Sequence, residues 1–440
     1  MEDEMSVQVE QEATSTTEET LQVIIYVSWF LGVGIARPKR LPKFVTIIIR
    51  VLHFGVCTVI VAYGAIDFFT FGTVFKSDIY KIMYYMNKVV CYVSSYYYVF
   101  HGIRHYEKWP LLMNKIEQLN KKITREVSVN ERSIKTVQIL AVILTFFLGP
   151  VSLLIHALYY YFTLPEEIFA SDLLLYYTIA QSAINSFIFD TVVYMICNRF
   201  KKINSMIELL DNKLVASLIA FKIRRIRELH SGVCELVTLV NDIHGVQLLL
   251  CSANSFTMVV ATLFRIYMGV VERNYTFMLI NNIIWIIYAG QFALMCWVCT
   301  LTNREFKKTG VLIHSIIPNH EKTDRDKPSS ILAICNEHDY SLQMHRQQQH
   351  EDRRRISLDI GRFGLNYFSM ENLLRSNIER DCVRNEINDF SNQLQQQPVS
   401  FTACDFFEMN NALLTGFIGV ITTYLIILVQ FYRPENIQVK

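Results

Sequence analysis

The chain of 440 residues lacks the sequence patterns on which most enzymes depend. Its 11 histidines form no HExxH-like or otherwise spaced set of metal ligands, and it has no glycine-rich loop for phosphate. The 42 basic residues are nearly balanced by 40 acidic ones, and the net charge of +2 does not indicate a nucleic acid partner. We therefore expect no catalytic activity, no cofactor, no metal site and no binding of nucleic acid.

The N-terminal region lacks positive charge. Several acidic residues and no basic residue precede the first apolar stretch, whereas a secretory signal peptide begins with basic residues. That stretch, Val23 to Ile35, is too short to cross a bilayer and contains Trp29. It predicts a short helix that lies in the membrane interface.

Long apolar runs dominate the rest of the chain, which is 52% hydrophobic and 13% aromatic. A run of about 18 or more apolar residues can cross ~30 Å of hydrocarbon at about 1.5 Å per residue. Seven runs meet this criterion, and we expect an all-α membrane protein with seven transmembrane helices. The predicted spans are 44–67, 82–103, 137–162, 171–197, 244–270, 277–301 and 411–432.

Lysine and arginine residues are concentrated in alternate loops, whereas the loops between them hold only Lys76, Lys81 and Arg273. The positive-inside rule therefore predicts a cytoplasmic N-terminus and an extracellular C-terminus, the reverse of a G-protein-coupled receptor. Arg50 is expected to extend back to the cytoplasmic interface. The sequon at Asn274 falls in a loop predicted to be external and is a candidate for glycosylation.

The loops predicted to be external contain none of the 10 cysteines, so we expect no external disulfide. Cys296 and Cys299 form a C-x-x-C pair inside a span, with no histidine nearby, and are interpreted as packing residues. Asp190 lies toward the inner end of the fourth span. We expect it to pair with a cytoplasmic lysine or a neighbouring helix, in a structural role.

Two helical patterns are predicted on the cytoplasmic side. Apolar residues recur every three or four positions from Ile223 to Ile243, so this helix should continue into the fifth span, and a similar pattern runs from Leu374 to Leu394. Between them, 319–370 is polar and irregular and is predicted to be a disordered insert. The resulting organisation is a cytoplasmic segment with the interfacial helix (1–43), six spans with helical extensions (44–303), a cytoplasmic loop (304–410), and the seventh helix with a short external tail (411–440).

The seventh span carries small and polar residues at helical spacing. Thr423, Ile427 and Gln430 lie on one face, which would suit a narrow conduction path with a hydrophobic ring and an amide ring. The other interpretation is a packed helix in which Gln430 simply reaches the membrane interface. The spacing alone leaves both interpretations open.

Thr423-Tyr424, five apolar residues and Gln430-Phe431 together resemble the TYhhhhhQF motif of the insect gustatory receptor family. Phe401-Thr402-Ala403-Cys404 resembles the segment before that family's last helix. Lys308-Thr309-Gly310, with Ile313-His314, is similar to the end of its sixth helix. The insert at 319–370 is longer than usual for the family.

The resemblance implies a tetrameric ligand-gated cation channel in the plasma membrane of sensory neurons, formed by this chain alone or with related chains. By this resemblance, Ile427 is the hydrophobic gate and Gln430 the constriction, while Thr423, Tyr424 and Phe431 belong to the pore-helix motif. The implied partners are membrane lipid and a small-molecule tastant, either a sugar (fructose included) or a bitter compound.

The resemblance also implies a ligand site in the outer half of spans two to six. An amide beside an indole, as at Asn282 and Trp285, suits a polar or aromatic tastant. Each candidate has an alternative structural reading, because Tyr and Trp favour membrane interfaces and Arg265 could extend outward. The candidates are Asn281, Asn282, Trp285, Tyr288, Gln181, Asn185, His156, Tyr160, Thr262 and Arg265, with Tyr85, Lys88 and Tyr177 near them.

A receptor that signals through G proteins is the alternative function. The predicted orientation argues against it, as does the lack of an Asp/Glu-Arg-Tyr triplet after the third span and of Asn-Pro-x-x-Tyr in the seventh. A secondary transporter would usually show internal repeats and interrupted helices, and the sequence has neither.

Overall fold

The computed structural model describes residues 17–38, 41–71, 78–124, 170–210, 216–271, 275–325 and 381–431, together with a few positions between 151 and 162. These residues are helical almost throughout and contain no β-strand beyond an isolated bridge between Thr402 and Glu408. The nine helices in this part of the chain are α1 (Thr17–Phe30), α2 (Lys43–Phe71), α3 (Asp78–Arg104), α4 (Lys108–Thr124), α5 (Ala170–Glu208), α6 (Ala216–Val271), α7 (Tyr275–Arg325), α8 (381–396) and α9 (Asn411–Phe431).

Five of these helices are long and apolar enough to cross a membrane, namely α2, α5, α6, α7 and α9. The second predicted span corresponds to α3, which has the length but also carries buried polar residues such as Asn87 and Lys88. Most of the third predicted span, 137–162, and residues 326–370 of the predicted insert lie outside the described residues. Residues 319–325, which were predicted to be disordered, form the end of α7, so that boundary of the insert was wrong.

The short N-terminal helix α1 packs on one face. Leu21, Ile24 and Ile25 are buried, whereas Val23 and Phe30 on the other face are exposed. The turn that follows contains Gly32 and Gly34, both with φ +68°, a conformation that L side chains rarely adopt. This amphipathic arrangement is compatible with a helix at the membrane interface, which stays a prediction.

Arg50 reaches back to the segment before α2, next to Arg37, as expected, and the position of that segment at the cytoplasmic interface stays a prediction. Its guanidinium is buried and donates hydrogen bonds to the carbonyl oxygens of Gly34 (2.9 Å) and Gly102. Both carbonyls lie at chain positions that cannot pair within a regular helix, so Arg50 satisfies acceptors that would otherwise cost free energy when buried.

The chain divides into two compact units. The larger comprises 1–199, 235–304 and 399–440 and contains most of the predicted spans. Its apolar core joins α3, α5, α6, α7 and α9 through buried residues that include Cys91, Tyr176, Met258, Tyr288 and Ile421. The helices that this core joins carry the residues of the two candidate sites described below.

The second unit comprises 200–234 and 305–398. His230 is fully buried there, with its ring 5.3 Å from the rings of Phe200 and Phe390 and 5.4 Å from that of Phe306. At the edge of this unit, Arg227 Nη1 donates to Asp389 Oδ2 at 2.9 Å. In this aromatic cluster, the predicted apolar faces of α6 and α8 pack against each other through His230 and Phe390.

Helix α6 is continuous from the predicted cytoplasmic extension into the fifth predicted span. α6 runs for 56 residues, and the apolar residues from Ile223 to Ile243 are buried, as their spacing predicts. Cys296 and Cys299 are free thiols buried in α7, in agreement with a packing role.

Asp190 behaves differently from the expectation. Its carboxyl group is buried in α5, and neither oxygen accepts a hydrogen bond or forms an ion pair with any residue that the structure describes. The expected pairing with a lysine is therefore not found among the described residues, and a contact with a neighbouring helix, the other possibility, stays a prediction.

Candidate pore helix and ligand site

The seventh helix, α9, begins from a tightly held loop. Asn410 caps it, with Oδ1 accepting a hydrogen bond from the N–H of Leu413 at 2.9 Å. The N–H of Asn411 donates to Thr300 Oγ1 at 2.9 Å. These bonds tie the first turn of α9 to α7.

The loop before α9 is held against α6. Asn241 Nδ2 donates to the carbonyl of Ser400 at 2.8 Å, and its Oδ1 accepts from the N–H of Thr402 at 3.3 Å. Cys404 and Asp405 have φ of 51° and 59°, an uncommon conformation for residues other than glycine. The segment resembling the family's loop therefore forms a fixed connection between α6 and α9.

One face of α9 packs against its own protomer. Phe417 stacks on Phe292 with ring centroids 4.3 Å apart, and Tyr424 meets Phe256 edge to face at 5.6 Å. Ile421 is the one buried residue of this helix. Positions 417, 421, 424 and 428 thus form its packed face, at the i, i+4, i+7 spacing of a helix.

The predicted pore residues lie on a different face. Successive helical residues are about 100° apart, so Thr423, Ile427 and Gln430 centre roughly 130° from the packed face. All three are exposed, Ile427 by 41%. Thr423 Oγ1 donates to the carbonyl of Gly419 at 3.0 Å, which leaves its oxygen free to accept.

Glycines extend this unpacked surface. A Cβ built on Gly416 or on Gly419 would meet no atom within 4 Å. We call the surface of Gly416, Gly419, Thr423, Ile427 and Gln430 the open face of α9. Phe431, at the end of the motif, is 70% exposed.

The ligand candidates on α7 contact each other as their spacing predicts. Trp285 Nε1 donates to Asn282 Oδ1 at 3.0 Å, which occupies the indole N–H. Tyr288, one turn further, is buried in the apolar core, where its hydroxyl lies near the side chain of Asn254 on α6. The side chain of Asn281 lies outside what the structure describes.

The candidates on α5 face the N-terminal turn. Gln181 Nε2 donates to the carbonyl of Leu31 at 3.0 Å and to Tyr177 Oη at 2.7 Å. Asn185 Oδ1 would lie 2.9 Å from a Cβ on Gly34. Their observed contacts are therefore structural, and a role in ligand binding stays a prediction.

On α6, Thr262 Oγ1 is buried and donates to the carbonyl of Met258 at 2.6 Å. The Arg265 guanidinium lies over the ring of Tyr84, 5.5 Å from its centroid. Lys88 approaches the same ring, with Nζ at 4.2 Å. His156, Tyr160 and the sequon at Asn274 lie outside the described residues.

Sequence reasoning missed Tyr84 and Asn87, which belong to this group. Asn87 is buried in α3, and neither atom of its amide has a hydrogen-bond partner in the described structure. An amide within a span is itself a signal of function, because burying it costs free energy. Asn87 carries this signal in the sequence, directly before Lys88, which the sequence analysis did name.

A comparison with known families matches residues 21–350 and 370–432 to the family described as 7tm chemosensory receptor. The chain belongs to the 7tm chemosensory receptor family. The resemblance to insect gustatory receptors is thereby confirmed. A receptor described as putative gustatory receptor 2a of Drosophila melanogaster is 45% identical over 51 residues, which span 12% of each chain.

Solved structures of insect olfactory receptors share the fold of this chemosensory receptor. The olfactory receptor OR5 of Machilis hrabei in complex with eugenol superposes with a TM-score of 0.56 at 15% identity, over 95% of this chain and 99% of that one. The same receptor described without eugenol gives 0.56 at 14% identity, over 94% and 98%. The likeness confirms the all-helical fold, and the orientation of the termini stays a prediction.

Proposed function

We propose that this chemosensory receptor is a tastant-gated, non-selective cation channel in the plasma membrane of sensory neurons. Four subunits, of this chain or of related chains, would contribute their α9 helices to one central pore. A ligand bound in the outer half of α3, α5, α6 and α7 would open it. The olfactory receptor OR5 of Machilis hrabei, which shares this fold, is in complex with eugenol in one of its structures, and this supports a small organic ligand.

The observation that carries the proposal is the open face of α9. α9 is strongly apolar, yet only 6% of its most apolar stretch is buried. A surface that faced lipid alone would have no use for Gly416, Gly419, Thr423 and Gln430, because small residues favour close helix contacts and an amide is costly in hydrocarbon. Neighbouring subunits and a water-filled path satisfy these residues.

In the proposed pore, Ile427 forms the hydrophobic gate and Gln430 forms the polar constriction. A ring of isoleucine side chains blocks ions by excluding water when the ring is narrow. One turn further out, a ring of amide oxygens presents dipoles to a partly dehydrated cation without binding it tightly. The fixed loop between α6 and α9 would transmit movement of the ligand-binding helices to the gate.

Patch recording of the full chain during application of a panel of sugars and bitter compounds tests the proposal. Gln430→Glu is expected to raise divalent over monovalent permeability, because it adds negative charge at the constriction. Ile427→Ala is expected to raise the resting current by roughly tenfold, since a smaller ring stays wet.

Ile418→Ala is the matched control, because Ile418 is 58% exposed but lies on the opposite side of α9 from Ile427. It should leave the resting current within about twofold of wild type. Equal effects of the two alanine substitutions, or unchanged permeation in Gln430→Glu, would contradict the assignment of α9 to the pore.

A further inference from the structure

Two cations lie over one tyrosine ring in the short connection between α3 and α4. The guanidinium carbon of Arg37 is 5.5 Å and Lys43 Nζ is 5.4 Å from the centroid of the Tyr106 ring. Arg104, at the end of α3, is exposed two residues before this tyrosine. We call Arg37, Lys43 and Arg104 the basic cluster. The ring face attracts the first two cations without cancelling their charge, so they keep their affinity for an anion.

Counter-charges are scarce around the basic cluster. Glu107 Oε1 lies 3.7 Å from Lys43 Nζ, and the two side chains are 72% and 61% exposed, so this ion pair is weak. The same carboxylate oxygen accepts a hydrogen bond from Tyr106 Oη at 2.8 Å. Neither Arg37 nor Arg104 forms an ion pair with any residue that the structure describes. An anion from outside the chain would therefore meet two guanidinium groups that no described acid neutralises.

The buried guanidinium of Arg50 adds a further positive charge behind the basic cluster. Its acceptors are the carbonyl oxygens of Gly34, Ala36 and Gly102, which carry no net charge. These bonds hold the chain before Arg37 beside the end of α3, and the charges of Arg37 and Arg50 repel each other. Repulsion between like charges is stronger near a low-dielectric interior than in water. An anion bound at Arg37 would offset it.

Exposed apolar side chains flank the basic cluster on both sides. The outward face of α1 carries Val23, Tyr26 and Phe30, the last of them 64% exposed. The first turns of α2 expose Phe44, by 71%, and Ile48. A soluble acidic peptide or a nucleotide would match the cations but leave these side chains in water. A phospholipid satisfies both, because its acyl chains cover apolar side chains and its phosphate meets the cations at headgroup depth.

The local charge favours a headgroup with several negative charges. Four cations, Arg37, Lys43, Arg50 and Arg104, face a single carboxylate, that of Glu107. Phosphatidylserine carries one net negative charge, whereas a phosphoinositide bisphosphate adds two phosphomonoesters to its phosphodiester. Guanidinium groups bind phosphate oxygens in bidentate geometry, and basic clusters beside a span are typical of sites for such lipids.

We propose that Arg37, Lys43, Arg104 and Tyr106 bind the headgroup of a phosphoinositide bisphosphate in the cytoplasmic leaflet, and that the bound lipid braces the turn at 31–37 against the helix bundle. The leaflet follows from the predicted orientation of the chain. The site is separate from the ligand candidates on α5, α6 and α7, and binding there does not depend on the proposed channel function.

Binding is tested on the detergent-purified full chain by native mass spectrometry and by titration with short-chain lipids. The probes are phosphatidylinositol bisphosphate, phosphatidylserine and phosphatidylcholine with the same acyl chains, and soluble inositol trisphosphate. The phosphoinositide should bind roughly tenfold or more tightly than phosphatidylserine, because more of its charges are paired. Arg37→Gln and Lys43→Gln should each weaken its binding by roughly fivefold, since each removes one cation.

Two further variants control for folding and charge. Lys43→Arg keeps the positive charge and should retain most of the wild-type affinity. Lys122→Gln removes a charge from an exposed lysine about 20 Å further along α4 and should leave binding unchanged. Because Lys43 is well exposed, Lys43→Gln should unfold at the same temperature as wild type without lipid, which separates loss of binding from loss of structure.

Each remaining outcome bears on one part of the proposal. Equal affinity for phosphatidylserine and the phosphoinositide, or equal losses in Lys122→Gln and Arg37→Gln, would overturn the site. Inositol trisphosphate that binds as tightly as the lipid would make it a soluble phosphate site instead. The phosphoinositide should also raise the unfolding temperature of the wild type, and binding without that rise would contradict the bracing of the turn. If the lipid binds as expected but no tastant evokes current, the site stands and the channel function fails.

Discussion

Helices α5 and α9 differ sharply in how much of their apolar length is buried. In α5, 89% of the most apolar stretch is buried, although that helix carries Gln181, Asn185 and Asp190. In α9, the corresponding share is 6%, although it lacks charged residues altogether. Hydropathy alone would assign the core of the protomer to α9, and the structure assigns it to α5.

The difference follows from where each helix finds its partners. Polar side chains in hydrocarbon are costly, so a helix that carries them is stable in the interior of a bundle, where other groups complete them. An apolar helix can face lipid or another subunit without that cost.

The largest expected effect compares the same truncation in the two helices. Phe189 in α5 is fully buried and meets the rings of His244 and Phe401 at 5.5 and 6.0 Å. Phe189→Ala should lower the free energy of unfolding by about 3–5 kcal/mol, since it leaves a cavity. Phe431→Ala, at an exposed position in α9, should change it by less than about 0.5 kcal/mol.

Thermal unfolding of the detergent-purified full chain measures both variants. Similar losses of stability in the two would mean that α9 is packed within the protomer after all. Phe189→Leu, which keeps most of the volume, should recover more than half of the stability lost in Phe189→Ala.

The next comparison concerns assembly. Neither Gly419 in α9 nor Gly55 in α2 would bring a Cβ within 4 Å of another atom. Gly419→Leu should weaken the complex of subunits by about 1–3 kcal/mol, because a large side chain blocks close helix approach there. Gly55→Leu should leave the complex intact, and native electrophoresis after chemical crosslinking distinguishes the two.

Both glycine substitutions improve helix propensity by a similar amount, so a difference between them reports the surroundings rather than the helix itself. An unchanged complex in Gly419→Leu would argue that this side of α9 faces lipid.

The smallest effects compare two polar residues within α5. Gln181→Leu removes donors to Leu31 and Tyr177 and should cost about 1–2 kcal/mol, because the carbonyl of Leu31 loses its closer donor and keeps only Tyr177 Oη at 3.4 Å. Asp190→Leu removes a carboxyl group that has no partner among the described residues and should leave stability unchanged or slightly higher. Thermal unfolding again decides, and a larger loss in Asp190→Leu would reveal an interaction at that carboxyl.

Much of the fold followed from local patterns. The spacing from Ile223 to Ile243 predicted an unbroken α6, and the i, i+3 spacing of Asn282 and Trp285 predicted their contact. Both succeed because a helix brings residues three and four apart to the same face, whatever surrounds it.

Predictions that needed a distant partner were less successful. The direction of Arg50 was predicted, but its acceptors, the carbonyls of Gly34 and Gly102, were not, because they adjoin it only in the folded chain. Asn87 was missed although an amide in a span is itself a signal of function, and only the folded chain shows that its neighbours leave both amide atoms unpaired.

Apolar length, loop charge and the motif ending at Phe431 were enough to predict a helical membrane receptor of this family, because hydropathy and helical period are properties of short segments. Which face of each helix meets a neighbour was decided only in three dimensions. The packed face of α9 depends on Phe256 and Phe292, and the Tyr84 ring is shared by cations far apart in the chain. Such contacts depend on how whole helices pack, and no local pattern encodes that packing.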